Sequence, residues 1–436
     1  MKKIALVVQR FGEEIIGGSE DYALKIAILL SKSYKIDILT TTAKDHLTWN
    51  NSYQEGEKQF SKNIIIKRFK VDFQRNKSGH YESDYFGLLC HTLYDGNAAS
   101  LYCSSEELKE NLNNRARNLP LGFAEEFIKY QGPYSADLLK YIREYDHNYE
   151  IVIFMTYLYA TTYYGINCIK DKKKIILIPT YHDELPAYLP AYYRYVNIKH
   201  LCSTQPEKEF AEKRLFKEKL NCSVIGYGMK DKNADINNEL PITQDRYILY
   251  AGRLEESKGV DKLYKMYEQY YQHSNQDIKL FTIGDGKLKN DKHEGILYKG
   301  FVSEEEKILL MKNAIALVHP SPYESLGLVV LEAFMMKTPA IVNSECEVLK
   351  SHIDISNAGF YYSNQKEFES SINHLASDKK EYLEKSENAR TYFLDNFNEK
   401  SYELKLHKEI NKICQRKNPD SNELRGRAFD GNATLE

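Results

Sequence analysis

Residues whose types and spacing suit chemistry concentrate in one stretch, "VHPSPYESLGLVVLEAFMMKTPAIV", from Val318 to Val342. Two carboxylates, Glu324 and Glu332, stand there with seven residues between them, astride the start of an apolar run. "AIALVHP" reads as a short buried strand, "SPYES" as a turn, and "LGLVVLEAFMMK" as a helix with Leu328, Leu331 and Met335 at helical spacing. In open α/β sheets ligands bind at the carboxyl ends of strands, beside the first turn of the next helix, and Glu324 falls in that turn. Ser325 stands at the position of an N-cap. The backbone N–H groups from Leu326 to Leu328, with Gly327 allowing close approach, suit an anion such as a diphosphate. Glu332 follows about two turns along, roughly 9–10 Å by helical rise, which is near the span of a diphosphate with a sugar on each side. The plainer alternative for the pair alone is a cap-assisting residue and a solvated helix residue.

Four further elements carry polar residues at strand ends. "AGRLEESKG" sets Arg253 and Lys258 after one strand, where two cations can reach an anion at its carboxyl edge. "IGDG" (Ile283 to Gly286) and "KGFV" (Lys299 to Val302) close the next two strands. "EEIIGGSED" places Gly17 and Gly18 before the first helix, as close approach to a phosphate requires. "PTYHDE" puts His182 and Asp183 at another strand end. Each is weak alone, because a Gly-Gly pair is usually a turn and a lone histidine is usually structural or solvated. Their joint order carries the weight.

The elements that must position these residues alternate strand and helix. In the first half they are "KIALVV", the helix "SEDYALKIAILLSK", "KIDILTT", "NIIIKRF", helices between Glu106 and Tyr145, "EIVIFMT", "KKIILIPT" and "SVIGYG". This is the rhythm of a parallel sheet with helical crossovers. The rhythm breaks between Val71 and Ser105 into an aromatic, glycine-containing segment that reads as an insertion, and a polar linker runs from Asp231 to Asp245. The second half repeats the alternation with "YILYAGR", "IKLFTIGDG", "GILYKGF", "AIALVHP" and "PAIVNS". At 436 residues two domains are expected, residues 1–230 and 231–414, with residues 415–436 a polar, aperiodic tail.

With 60 basic against 62 acidic residues, the net charge of −2 gives no footprint for nucleic acid. Seven scattered cysteines without a CxxC pair argue against a disulfide scaffold or zinc site and fit a reducing cytoplasm. The apolar run at the N-terminus is too short for a signal segment, and no stretch approaches the roughly 20 apolar residues of a membrane span.

Taken together, the Glu324/Glu332 pair inside "HPSPYESLGLVVLEA", the "AGRL...KG" element and the Gly-Gly loop resemble the family 4 glycosyltransferases over about residues 1 to 412. The resemblance implies the GT-B fold, an α/β arrangement of two facing Rossmann-like, doubly wound parallel-sheet domains with a cleft between them. It implies a retaining enzyme that moves a sugar from a UDP- or GDP-linked donor to a saccharide or lipid-linked acceptor in surface polysaccharide biosynthesis. By the same resemblance Glu324 contacts donor-sugar hydroxyls, Glu332 holds the ribose, and Arg253 and Lys258 neutralise the diphosphate. Gly327 and Leu328 supply backbone at the helix start, Phe301 and Val302 lie against the base, and His182 stands near the transferred sugar. The Val71–Ser105 insertion departs from the pattern and leaves the acceptor open.

Breaking a sugar–phosphate bond generates an oxocarbenium-like sugar and a dianionic leaving group, so stabilising that diphosphate is the main demand. No Asp-x-Asp triplet occurs in the chain, so cations and a helix N-terminus are expected to supply the charge without metal or cofactor. The alternatives are an inactive sugar-nucleotide-binding partner subunit and a nucleotide-sugar epimerase on the same scaffold. A phosphorylase would need a pyridoxal lysine, and a dinucleotide oxidoreductase a GxGxxG after the first strand, which is absent. The basic runs "KDKKK" (Lys170 to Lys174) and "EKRLFKEK" (Glu212 to Lys219) suggest peripheral contact with the inner face of the cell membrane, against the alternative of solvated faces.

Overall fold

The computed structural model describes residues 1–12, 14–15, 17–75, 85–94, 106–233, 246–274, 277–290 and 293–416. Much of the 71–105 insertion, the centre of the 231–245 linker and residues 417–436 therefore lie outside the described residues. The chain divides into two units: residues 1–202, 211–225 and 403–416, and residues 203–210 and 226–402. The expected boundary at 230/231 sits slightly late, and the end of the second half does not all belong to the second unit. Glu399–Arg416 is one helix whose residues from Glu403 onward serve the first unit. Its Glu403 pairs with Lys32 at 2.8 Å and its Glu409 with Lys199 at 2.9 Å.

The sheet of the first unit is built from β1 (Lys3–Val7), β2 (Lys35–Thr41), β3 (Gly56–Ser61), β4 (Ile64–Phe69), β5 (Ile151–Met155), β6 (Ile175–Ile178), β7 (Lys199–Cys202) and β8 (Cys222–Val224). Their spatial order is β3-β4-β2-β1-β5-β6-β7-β8. All neighbours are parallel except β3 and β4, so the expected parallel sheet carries one antiparallel edge. β1, β5 and β6 are almost wholly apolar and buried because helices cover both faces of a parallel sheet. β3, "GEKQFS", is exposed along most of its length and lacks the apolar alternation that announces a strand.

The second unit contains β9 (Arg246–Ala251), β10 (Ile278–Ile283), β11 (Ile296–Gly300), β12 (Ala316–His319), β13 (Ala340–Asn343) and β14 (Gly359–Tyr362). These strands run in the order β11-β10-β9-β12-β13-β14, all parallel. This is the doubly wound 3-2-1-4-5-6 arrangement, whose winding reverses between β9 and β12. In the first unit the reversal lies between β1 and β5. Side chains at the carboxyl ends of those four strands therefore have the best claim to a ligand.

Tyrosine does much of the core packing, and several of the buried hydroxyls donate to backbone carbonyls. Tyr247 donates to the Leu310 carbonyl at 2.8 Å, Tyr192 to Leu158 at 3.0 Å and Tyr195 to Tyr157 at 3.0 Å. Two histidines are buried as neutral rings. Nδ1 of His200 meets the Ile198 carbonyl and its Nε2 the Tyr181 hydroxyl, while Nε2 of His352 meets the Leu326 carbonyl and its Nδ1 the Tyr392 hydroxyl. Each ring thus has one acceptor and one hydroxyl, which suits a single ring proton. Burial lowers both from 6.5 to about 4. An unfolded chain binds those protons near pH 6.5 and the folded chain does not. The neutral rings' contribution is thus complete above 6.5 and drains away as pH falls toward 4. By pH 5 each histidine should have cost on the order of 2 kcal/mol. Thermal unfolding monitored at pH 7 and pH 5 should show a lower Tm at pH 5, and His200→Gln and His352→Gln should each flatten that slope.

The membrane reading of "KDKKK" needs correction at one end. Lys174 is buried and paired with Asp146 at 2.8 Å, and the Lys172 ammonium donates to the Ile166 carbonyl at 2.5 Å. Both serve the fold. Among the described residues no helix is long and apolar enough to cross a membrane.

Candidate functional site

In the second unit the loops that leave β9, β10 and β11 are laced together by backbone hydrogen bonds. The Gly252 amide donates to Ile283, the Gly284 amide to Gly300 and the Leu254 amide to Asp285, at 3.0, 2.8 and 2.9 Å. Gly284 has φ +122°, and a Cβ there would stand 2.0 Å from the Gly252 carbonyl oxygen, so no other residue fits. "AGR", "IGDG" and "KGFV" are consequently one continuous rim. Phe301 projects from it with 80% of its surface exposed. Val302 is half-buried beside it.

The other side of the winding reversal holds the carboxylate. After Arg253 the chain makes the short turn Glu256–Lys258 and enters Gly259 at φ +72°, so near β12 that a Cβ would lie 2.5 Å from the Pro320 carbonyl oxygen. That approach carries Lys258 to Glu324, Nζ to Oε1 at 2.6 Å. His319, the last residue of β12, reaches the same oxygen through Nε2 at 3.2 Å and is almost fully buried. Burial opposes a charge on Glu324, but His319 and Lys258 outweigh it and hold the carboxyl well below the usual carboxylate range. Lys258 is 23% exposed and Arg253 62%, and Arg253 pairs with Glu255 at 3.1 Å. The expected cations are thus unequal: one is built into the carboxylate site, the other stands free of it.

Two expectations about the following helix are corrected. It runs Leu328–Met335, and its N-cap is Gly327 at φ 69°, not Ser325. The left-handed turn at Gly327 ends the loop two residues later than a serine cap would. Glu332 accordingly lies only about one turn into the helix, so the two-turn rise reckoned from Glu324 does not apply. The free N–H groups of the first turn are those of Leu328 and Val329, since Val330 and Leu331 donate to the Gly327 carbonyl. His352 fixes this loop from below, its Nε2–H donating to the Leu326 carbonyl at 2.8 Å. Glu332 and Glu324 share no partner. Glu332 pairs with Lys307 at 2.9 Å, Lys307 with Glu304 at 2.8 Å, and Glu304 with Lys232 at 2.7 Å.

In the first unit Gly17 is the N-cap of the helix Gly18–Ser31 and has extended backbone, so its φ does not demand glycine. Space does. A Cβ at Gly17 would stand 2.2 Å from Oε2 of Glu20, whose buried carboxylate accepts from Arg10 at 2.5 Å and from Gln9 at 3.1 Å. Nothing lies within 4 Å of a Cβ at Gly18, which leaves that position open. His182 follows β6. Its Nε2 lies 3.2 Å from Glu184, and its Nδ1 lies 3.2 Å from the Thr180 carbonyl. Asp183 turns away to Arg214, Lys109 and the Tyr188 hydroxyl at 3.0, 3.3 and 2.6 Å and anchors the loop.

The structure brings Lys258, Glu324, Gly327 and Leu328 together at the reversal of the second unit, and puts Gly17, Gly18 and His182 at carboxyl ends of first-unit strands. Sequence reasoning missed His319, Lys307, Glu184 and Glu20. His319 and Glu184 were within reach, since both lie in quoted strand-end motifs. Lys307 offered no signal, because its role depends on how two helices pack.

Residues 231–392 match the family model described as glycosyl transferases group 1. An uncharacterized glycosyltransferase of Methanocaldococcus jannaschii is 30% identical over 122 residues, which is 25% of this chain and 31% of that protein. The matched segment thus spans under a third of that relative. Solved structures resemble nearly the whole chain. Sucrose-phosphate synthase from Thermosynechococcus elongatus superposes with a TM-score of 0.62 at 15% identity, over 95% of this chain and 99% of its own. HepE of Anabaena in complex with UDP and glucose gives 0.60 at 12%, over 94% and 100%. The trehalose-6-phosphate structure from E. coli with UDP-2-fluoro glucose gives 0.61 at 10%, over 95% and 99%. The fold is GT-B. It comprises two parallel-sheet α/β domains, as the alternation of strands and helices implied.

Proposed function

We propose that this protein is a metal-independent, retaining family 4 glycosyltransferase that transfers a sugar from a UDP- or GDP-linked donor to a saccharide or lipid-linked acceptor in surface polysaccharide synthesis. The observation that carries the reading is the Lys258–Glu324–His319 cluster at the winding reversal of the unit that matches the group 1 model. A carboxylate held ionised there can face the positive charge that develops on a departing sugar. Lys258, Arg253 and the first N–H groups after Gly327 can meet the negative charge that develops on the diphosphate. Glu332, steadied by Lys307, suits ribose hydroxyls, and exposed Phe301 suits the face of a base. His182 suits the sugar side. Peripheral attachment to the cytoplasmic face of the membrane fits a lipid-linked acceptor.

Product analysis with a panel of nucleotide sugars, with and without acceptor, tests the reading, and the anomeric configuration of the product reports retention. An epimerase would release free sugar without acceptor, and an inactive subunit would bind donor without consuming it. Turnover should persist in excess EDTA within about twofold, since the charge groups named here are covalent parts of the chain. Abolition by EDTA with recovery in magnesium or manganese would refute metal independence.

A further inference from the structure

His182 differs from His200 and His352 in what its two nitrogens meet. His200 and His352 each face one carbonyl and one hydroxyl, an arrangement a neutral ring satisfies. His182 faces two acceptors that cannot donate: the Thr180 carbonyl at Nδ1 and the Glu184 carboxylate at Nε2, both at 3.2 Å. A neutral imidazole has one N–H and would leave a lone pair opposed to one of these oxygens. Only a ring with both protons satisfies both.

The surroundings hold that geometry in place. Glu184 takes a second hydrogen bond, from the Tyr157 hydroxyl, and Tyr157 is fully buried. Burial works against a charge on Glu184, yet His182 and that hydroxyl hold its carboxyl below the usual range. Thr180 sits at φ 55°, a left-handed conformation that a β-branched residue adopts only under constraint, and its carbonyl is the one His182 meets. Among the described residues the titratable groups around the pair include Asp183, matched by Lys109 and Arg214, and the tyrosines Tyr94, Tyr159 and Tyr192. Glu20, in the helix Gly18–Ser31, and Arg10, beyond β1, act on Tyr159 together with Arg75, and Glu20 and Arg10 form their own pair.

We infer that Glu184 is a positioning residue that keeps His182 as a doubly protonated imidazolium, so that a fixed positive charge, and not a base, stands at the carboxyl end of β6. The role in transfer rests on the glycosyltransferase reading. In that reaction the acceptor hydroxyl must lose a proton, and a ring already carrying two cannot take it. With both N–H groups held by Thr180 and Glu184, His182 instead presents a positive charge toward the anionic donor, and the acceptor proton leaves with a phosphate oxygen of the departing diphosphate.

Histidine-selective 15N labelling of the full chain, without nucleotide, reads the ring directly. The His182 signals are assigned by their loss in His182→Gln. At pH 7 both nitrogens of His182 should fall in the protonated range, while His200 and His352 should each show one protonated and one bare nitrogen. Glu184→Gln keeps an acceptor but removes the charge, and should leave His182 with a single ring proton at pH 7. Tyr157→Phe removes only the hydroxyl and should leave both protons. In turnover, the wild type should hold its kcat from pH 6 to 7.5, whereas Glu184→Gln should lose kcat about tenfold as pH rises through the ordinary histidine range near 6.5. A neutral His182 in the wild type overturns the inference, and an unchanged doubly protonated ring in Glu184→Gln overturns the part given to Glu184. If Glu184→Gln does not fold, Glu184→Asp, which withdraws the carboxylate, is read in the same way. The ring signals need no substrate, so a failed glycosyltransferase reading would show as absent turnover with the protonation pattern intact.

Discussion

Glu324→Ala should lower kcat by on the order of 100-fold or more while changing donor affinity little, because the charge it faces develops only during transfer. Its carboxylate is fixed by Lys258 at 2.6 Å and His319 at 3.2 Å, so its position is set before any donor arrives. Glu332→Ala is the contrasting case. It removes hydrogen bonds to a ribose that are the same in ground and transition states, so it should raise donor KM about 10- to 100-fold, equivalent to roughly 1.5–3 kcal/mol of charged hydrogen bonding. Calorimetric donor affinity alongside steady-state turnover separates the two. Normal turnover in Glu324→Ala, or unaltered donor binding in Glu332→Ala, would reduce the pair to structural ion-pair partners of Lys258 and Lys307.

Lys258→Met should be nearly as damaging, with kcat/KM down by about 10²- to 10³-fold. Two effects combine. The leaving diphosphate loses a cation, and the mostly buried Glu324 carboxylate loses its closest counter-charge, leaving His319 to hold it alone. Arg253→Ala should cost less, about tenfold, because Arg253 is exposed and already engaged with Glu255. The ordering is the informative result. A larger loss in Arg253→Ala than in Lys258→Met would place the diphosphate on the rim and not at the winding reversal. A thermal melt of each variant separates a catalytic loss from unfolding.

Much of this was legible in the chain because strands buried on both faces are written as short, nearly continuous apolar runs. β1, β2, β5, β6 and β9 to β13 announce themselves that way. β3 escaped because it is an exposed antiparallel edge whose one large apolar residue is Phe60, and β7 because "KHLC" is four residues with a buried histidine in the middle. The site was legible to the same degree. Glu324, Lys258 and the glycine turns stand at strand ends in a fixed order, and strand ends are where a parallel sheet presents ligands. The cap was misplaced because serine is the commoner N-cap, whereas here the left-handed turn that only Gly327 makes easily decides where the helix begins. Lys307 and the buried Glu20–Arg10 pair could not be read, since each depends on a side chain from another element arriving at the right height. The division into units was blurred by the helix Glu399–Arg416, whose sequence carries no mark of the residue at which it passes from one unit to the other.

The most direct test of the central claim is a transfer assay in which wild type and Glu324→Ala are supplied with UDP- and GDP-linked sugars and a panel of saccharide and lipid-linked acceptors, with free nucleotide and the anomeric configuration of the product read together. The proposed function predicts stoichiometric release of nucleoside diphosphate and formation of a product with the donor's anomeric configuration. It also predicts at least about a 100-fold slower reaction in Glu324→Ala at unchanged donor occupancy. A wild-type protein that binds a nucleotide sugar but never transfers it, or a Glu324→Ala variant that transfers it at the wild-type rate, would contradict it.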